Sequence, residues 1–75
     1  MTFNERLTEL ITNLETENLR QKDRALSRII EILKSIETLT DLKREKNLVN
    51  RIAIDGVADW KTIEKILQFT ENYTK

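Results

Sequence analysis

Chemistry in this chain has to come from carboxylates, ammonium groups and guanidinium groups, because its 75 residues include no histidine and no cysteine. The usual general base, thiolate nucleophile and zinc ligands are therefore missing. Ser27 and Ser35, the only serines, fall on the polar side of a helical pattern with no base beside them, so neither is placed to attack a substrate. Glu15 and Glu17 stand two positions apart and point to different sides of a helix, which denies them an acid/base partnership. Neither a glycine-rich phosphate loop nor an aspartate-rich calcium loop occurs. We expect no enzyme, no cofactor, no metal and no small-molecule substrate.

Recognition is the remaining chemistry, and two sets of residues suit it. Arg20, Arg24 and Arg28 recur at i, i+4 and i+8 and so form a ladder on one helix face, where like charges repel by a few tenths of a kcal/mol. Either Glu17 and Glu31, each three residues from an outer arginine, make this a salt-bridged solvated face, or the ladder meets an acidic partner surface or phosphates. Near the other end, Trp60, Ile63, Ile66, Leu67, Phe69 and Tyr73 cover about 180° of a helix wheel. That is more than the outermost helix of a small bundle can bury, and Trp and Tyr are enriched where chains meet. The expected protein interface is therefore Trp60, Ile63, Ile66, Phe69 and Tyr73, with Arg24 and Arg28 setting orientation by charge.

Charge supplies the alternative. The net charge is zero, but residues 1–19 carry Glu5, Glu9, Glu15 and Glu17 against Arg6, residues 20–51 carry nine Lys or Arg against five acids, and residues 52–75 have four acids against three lysines. A basic middle between acidic ends fits charge matching within or between chains, and it also fits nucleic acid. Within it, Lys43, Arg44, Lys46, Asn50 and Arg51, joined by Lys61, are the candidate nucleic-acid contacts.

The segment from Val49 to Leu67 resembles a helix-turn-helix, with Gly56 and Val57 in the turn and Thr62 and Ile63 on the following helix. The resemblance implies a small DNA- or RNA-binding regulator. One extra residue separates the turn from Thr62-Ile63, and Asp59 and Trp60 stand where base-reading or phosphate-facing residues belong. The second helix would carry only Lys61 and Lys65 against Asp59 and Glu64, whereas a DNA reader pools positive charge on the helix that enters the groove.

The elements that must position these groups are helices. No proline, one glycine and 35% charged residues suit an almost wholly helical chain. Its most aliphatic stretch is Ala25–Leu39, where Ala25, Leu26, Ile29, Ile30, Ile32, Leu33 and Ile36, with Leu19, span an arc of about 160°. A face so wide needs two neighbouring helices or a partner chain. Thr2-Phe-Asn-Glu5 has the form of a capping box and starts the first helix. Phe3, Leu7, Leu10, Ile11 and Leu14 are its apolar side. Asn18 and Lys22 interrupt that stripe, so we place a break at residues 16–19, with Asn18 as the next cap; a single helix from Phe3 to Glu37 is the alternative. Thr38-Leu-Thr-Asp41 is a second capping signature, with Leu42, Leu48, Val49, Ile52 and Ala53 as the buried face beyond it. Gly56 is the one residue suited to a left-handed helix end, and Asp59 caps the last helix.

The expected architecture is thus all-α: one domain over residues 1–75, a small three- to four-helix bundle with helices at about 3–17, 19–37, 41–54 and 60–73. A chain this short hides only about 60% of its unfolded surface, and with neither disulfide nor zinc to staple it we expect a homodimer or a complex with another protein. No apolar run reaches the roughly 20 residues of a membrane span, and the N-terminus lacks a signal-peptide pattern, so the cytoplasm is the expected location. The functional expectation is a non-enzymatic regulator or adaptor acting through protein–protein contact.

Overall fold

A computed structural model describes residues 2–74, and it is all helical. Four helices run α1 Phe3–Gln21, α2 Arg24–Lys34, α3 Leu39–Gly56 and α4 Trp60–Tyr73. Neighbours in sequence are neighbours in space and alternate in direction, so the chain goes up, down, up and down. The antiparallel order is fixed by contacts far apart in sequence. Phe3 at the start of α1 meets Tyr73 at the end of α4, ring centroids 5.2 Å apart, while Gln21 at the end of α1 donates to Asp59 before α4, 3.1 Å away.

The core forms because each helix turns one apolar stripe inward. Leu7, Leu10 and Leu14 of α1, Leu26, Ile29, Ile30 and Leu33 of α2, Leu42, Val49 and Ala53 of α3, and Ile63, Ile66 and Phe69 of α4 are all buried in one cluster, joined by Ile36 and Val57 from the connections. α2 is the shortest helix but packs on both α1 and α3, which is how its wide aliphatic arc is covered. Leu48, expected inside α3, is exposed, and Ile52 is half-buried.

Three boundaries differ from the sequence expectation. The first break lies at Lys22-Asp23, because α1 continues past Asn18 to Gln21. Asn18 still serves the turn: its carbonyl accepts from the Lys22 amide at 2.8 Å, its side-chain oxygen accepts from the Asp23 amide at 2.8 Å, and its amide donates to the Ser27 hydroxyl at 2.7 Å. Asp23 is the true cap of α2, accepting from the amides of Ala25 and Leu26. Leu19 therefore sits on α1 and is 80% exposed, outside the arc assigned to it. Second, α2 ends at Lys34, three residues before the expected Glu37. Third, α3 begins at Leu39, immediately after the Thr38 cap, whose capping box with Asp41 is complete, and reaches Gly56. α4 and its Asp59 cap occupy the span read from the sequence.

The left-handed helix end falls on the wrong residue for the composition. Lys22 adopts it, with φ 51° and ψ 47°, although a Cβ makes that conformation unfavourable. Gly56 is helical instead. Its lack of a side chain serves packing, since a Cβ there would lie 2.6 Å from the Cβ of Ala25 on α2. The only glycine is spent on close approach of α2 and α3, and the tight turn is left to a lysine.

Candidate functional site

That close approach builds a groove. Where the N-terminal half of α2 crosses the last turns of α3, an open groove of about 480 Å³ is lined by Arg24 and Arg28 on one side, Arg51 and Asp55 on the other, and Ala25, Ile52 and Gly56 between them. Arg24, Arg28 and Arg51 are exposed, and among the described residues none is within ion-pairing distance of a carboxylate. By contrast, Arg20 pairs with Glu17 at 2.6 Å and Arg44 with Asp41 at 2.9 Å. The ladder expected on one face is therefore split by the turn at Lys22-Asp23: Arg20 belongs to α1 and is neutralised there. Glu31 does not reach Arg28, so Arg24 and Arg28 face the solvent with Arg51 across the groove.

The groove is held by polar contacts at the same end of the bundle. Asp23, besides capping α2, accepts through its second carboxylate oxygen from the Ala58 amide at 3.0 Å, tying the α1–α2 turn to the α3–α4 turn. Gln21 extends the link by donating to Asp59 and to Thr62, which is buried in α4. At the opposite end, Asp41 accepts from the Glu37 and Thr38 amides at 3.0 and 3.2 Å. The Glu37 amide foremost, helped by the Thr38 amide and the Arg44 guanidinium, holds its carboxyl below the usual carboxylate range, together outweighing the opposing effect of desolvation.

The expected α4 interface is largely consumed by the fold. Ile66 is fully buried, and Ile63 and Phe69 nearly so, packed into the core against α1 and α3. Tyr73 is half-buried against Phe3 and Phe69, with centroids 5.2 and 5.1 Å away. Ile63, Ile66 and Phe69, expected at an interface, are interior and Tyr73 is half-buried, because α4 packs chiefly on α3, with Phe3 of α1 against its far end. Trp60 alone of that set stays out, 63% exposed, its indole donating to Glu64 at 2.7 Å. It stands on α4, apart from the groove that holds Arg24 and Arg28.

The alternative basic set is not gathered either. Arg44 is engaged by Asp41 and Glu45, Lys46 approaches Glu71 at 3.6 Å, and Asn50 accepts from the Thr70 hydroxyl at 2.9 Å. Lys43 is exposed on α3 and Lys61 on α4, while Arg51 joins the groove with α2. A larger groove of about 520 Å³ between α1 and α2, lined by Thr12, Thr16, Ser27 and Leu19, contains one charged group, Glu15, which pairs with Lys34 at 2.9 Å.

Sequence reading had Arg24, Arg28 and Arg51 but in two different sets, and it missed Ala25, Ile52, Asp55 and Gly56 as site residues. The i, i+4 spacing of Arg51 with Asp55 and of Ile52 with Gly56 marks two edges of α3; only the pairing of α2 with α3 turns those edges into a wall and a floor.

Fold and groove together define the class: an all-α four-helix bundle with a basic cleft between its second and third helices. Among the described residues there is no group of three or more potential metal ligands, and no helix is long and apolar enough to cross a membrane. Comparison with protein families, curated proteins and solved structures found no match to this chain.

Proposed function

We propose that this chain is a non-enzymatic helical adaptor or regulator of the cytoplasm that binds another protein through the α2/α3 groove. The observation that carries the reading is the convergence of Arg24, Arg28 and Arg51, none of them ion-paired, on a floor of Ala25, Ile52 and Gly56. An apolar floor between guanidinium walls suits a partner segment that presents acidic groups around an aliphatic side chain. The absence of His and Cys supports a binding role over a catalytic one. Self-association now rests on exposed apolar side chains such as Trp60 and Ile54, since the rest of the α4 face is core. Nucleic-acid binding has less support, because Arg44, Lys46 and Asn50 are occupied within the chain.

Capture of partners from the native cell tests the reading with three baits: the wild type, Arg24→Glu with Arg28→Glu, and Trp60→Ala. Partners lost by the arginine double variant and kept by Trp60→Ala support the groove. The reverse pattern moves the interface to α4. Retention on heparin that falls steeply with salt, with a slope of about −0.9 per neutralised phosphate, would instead favour the nucleic-acid reading.

A further inference from the structure

Resting on the groove reading, we infer that the group the groove takes is a phosphoryl dianion on a phosphorylated side chain of the partner protein, seated among Arg24, Arg28 and Arg51. The charges on the walls are three guanidiniums and one carboxylate, Asp55, which leaves an excess of two positive charges in about 480 Å³. One carboxylate neutralises half of that, and two separate carboxylates have to be brought side by side over the same arginines, where they repel each other. One phosphoryl group carries about −1.5 to −2 at pH 7 and three strong acceptor oxygens, matching the excess with a single substituent. Guanidinium forks meet phosphate oxygens two at a time, and here they approach from two helices, so the group is gripped from both sides.

The apolar floor distinguishes a peptide from a free phosphate or a nucleic acid. Ala25 and Ile52 offer a surface for an aliphatic neighbour of the phosphorylated residue. A duplex needs positive charge spread along a face, and the basic residues next along α3, Arg44 and Lys46, are already paired with acids. Asp55, on the α3 side of the groove, disfavours a ligand whose negative charge extends beyond one group.

Three degenerate nonapeptide libraries, with phosphoserine, glutamate or serine at the centre, immobilised and probed with the purified chain, decide the matter. The expected result is retention on the phosphoserine library about tenfold or more stronger than on the other two, as one added charge-assisted hydrogen bond gives. Binding should weaken about tenfold in Arg28→Gln and in Arg51→Gln, whose exposed sites leave folding intact as judged by thermal melts, and stay unchanged in Lys43→Gln. Binding should also drop between pH 7.5 and pH 5, because the second phosphoryl pKa is about 6. Equal retention on the glutamate library overturns the phosphoryl assignment and leaves the groove reading standing. Failure on all three libraries does the same if the Arg24→Glu, Arg28→Glu chain still loses its cellular partners; if it keeps them, both fall. Stronger binding to random duplex DNA than to the phosphoserine library, abolished by the same arginine variants, overturns the peptide in favour of nucleic acid.

Discussion

Gly56 and Lys22 show how a residue's type and its place can be at odds. Gly56→Ala places a Cβ 2.6 Å from that of Ala25, and the obstacle is an atom attached directly to the α2 backbone. We expect a loss of about 1–3 kcal/mol, read by urea unfolding. Adding Ala25→Gly to that variant should recover part of the loss, a positive coupling that a merely helix-weakening effect of the two substitutions would not produce. Lys22→Gly should raise stability by up to about 1 kcal/mol, because glycine adopts the left-handed region without steric penalty. Asp41 gives a pH dependence of known sign. Its folded carboxyl titrates below the unfolded value, so its contribution is present above pH of about 4 and fades as the pH falls through the folded value. The difference in melting temperature between wild type and Asp41→Asn should therefore be largest near neutrality and shrink at pH 3 and below.

Between elements, the turns carry more than connectivity. Asp23 caps α2 and holds the Ala58 amide of the α3–α4 turn, so Asp23→Ala removes a helix cap and an inter-turn hydrogen bond together. A cap alone is worth about 1 kcal/mol, so the substitution should cost about 2 kcal/mol, with hydrogen exchange rising at the amides of Ala25, Leu26 and Ala58. On α4 the two large side chains should behave oppositely. Phe69→Ala empties a core position wedged against Phe3 and Tyr73 and should cost about 3–5 kcal/mol. Trp60→Ala removes an exposed ring and should change stability by about 0.5 kcal/mol or less.

As a whole, the chain exposes 5058 Å², close to the roughly 4,800 Å² that area scaling gives for a folded monomer of this mass. Its four stripes close on one another, and α1, 19 residues and about 28 Å long, spans nearly the full 29 Å of the molecule. We expect a cooperative melt whose midpoint is unchanged over a hundredfold range of protein concentration; a midpoint that rises with concentration would show that association supplies part of the stability.

Helical content, most of the apolar stripe of each helix and the Thr2, Thr38 and Asp59 caps were legible in the residues, because periodicity and capping act over three or four positions of chain. The position of the break was less so: Asn18 and Asp23 both offered caps, and the helix runs on to Gln21, with Asp23 capping α2 and also holding the Ala58 amide 35 positions away. The fate of Ile63, Ile66 and Phe69, which are covered where α4 packs on α3 and, at its far end, on Phe3 of α1, was not legible. A helix wheel shows how much apolar surface an element has, but which neighbour covers it is decided by the packing of all four. The groove follows the same rule: Arg24, Arg28 and Arg51 are local facts, and their meeting over Gly56 is a tertiary one.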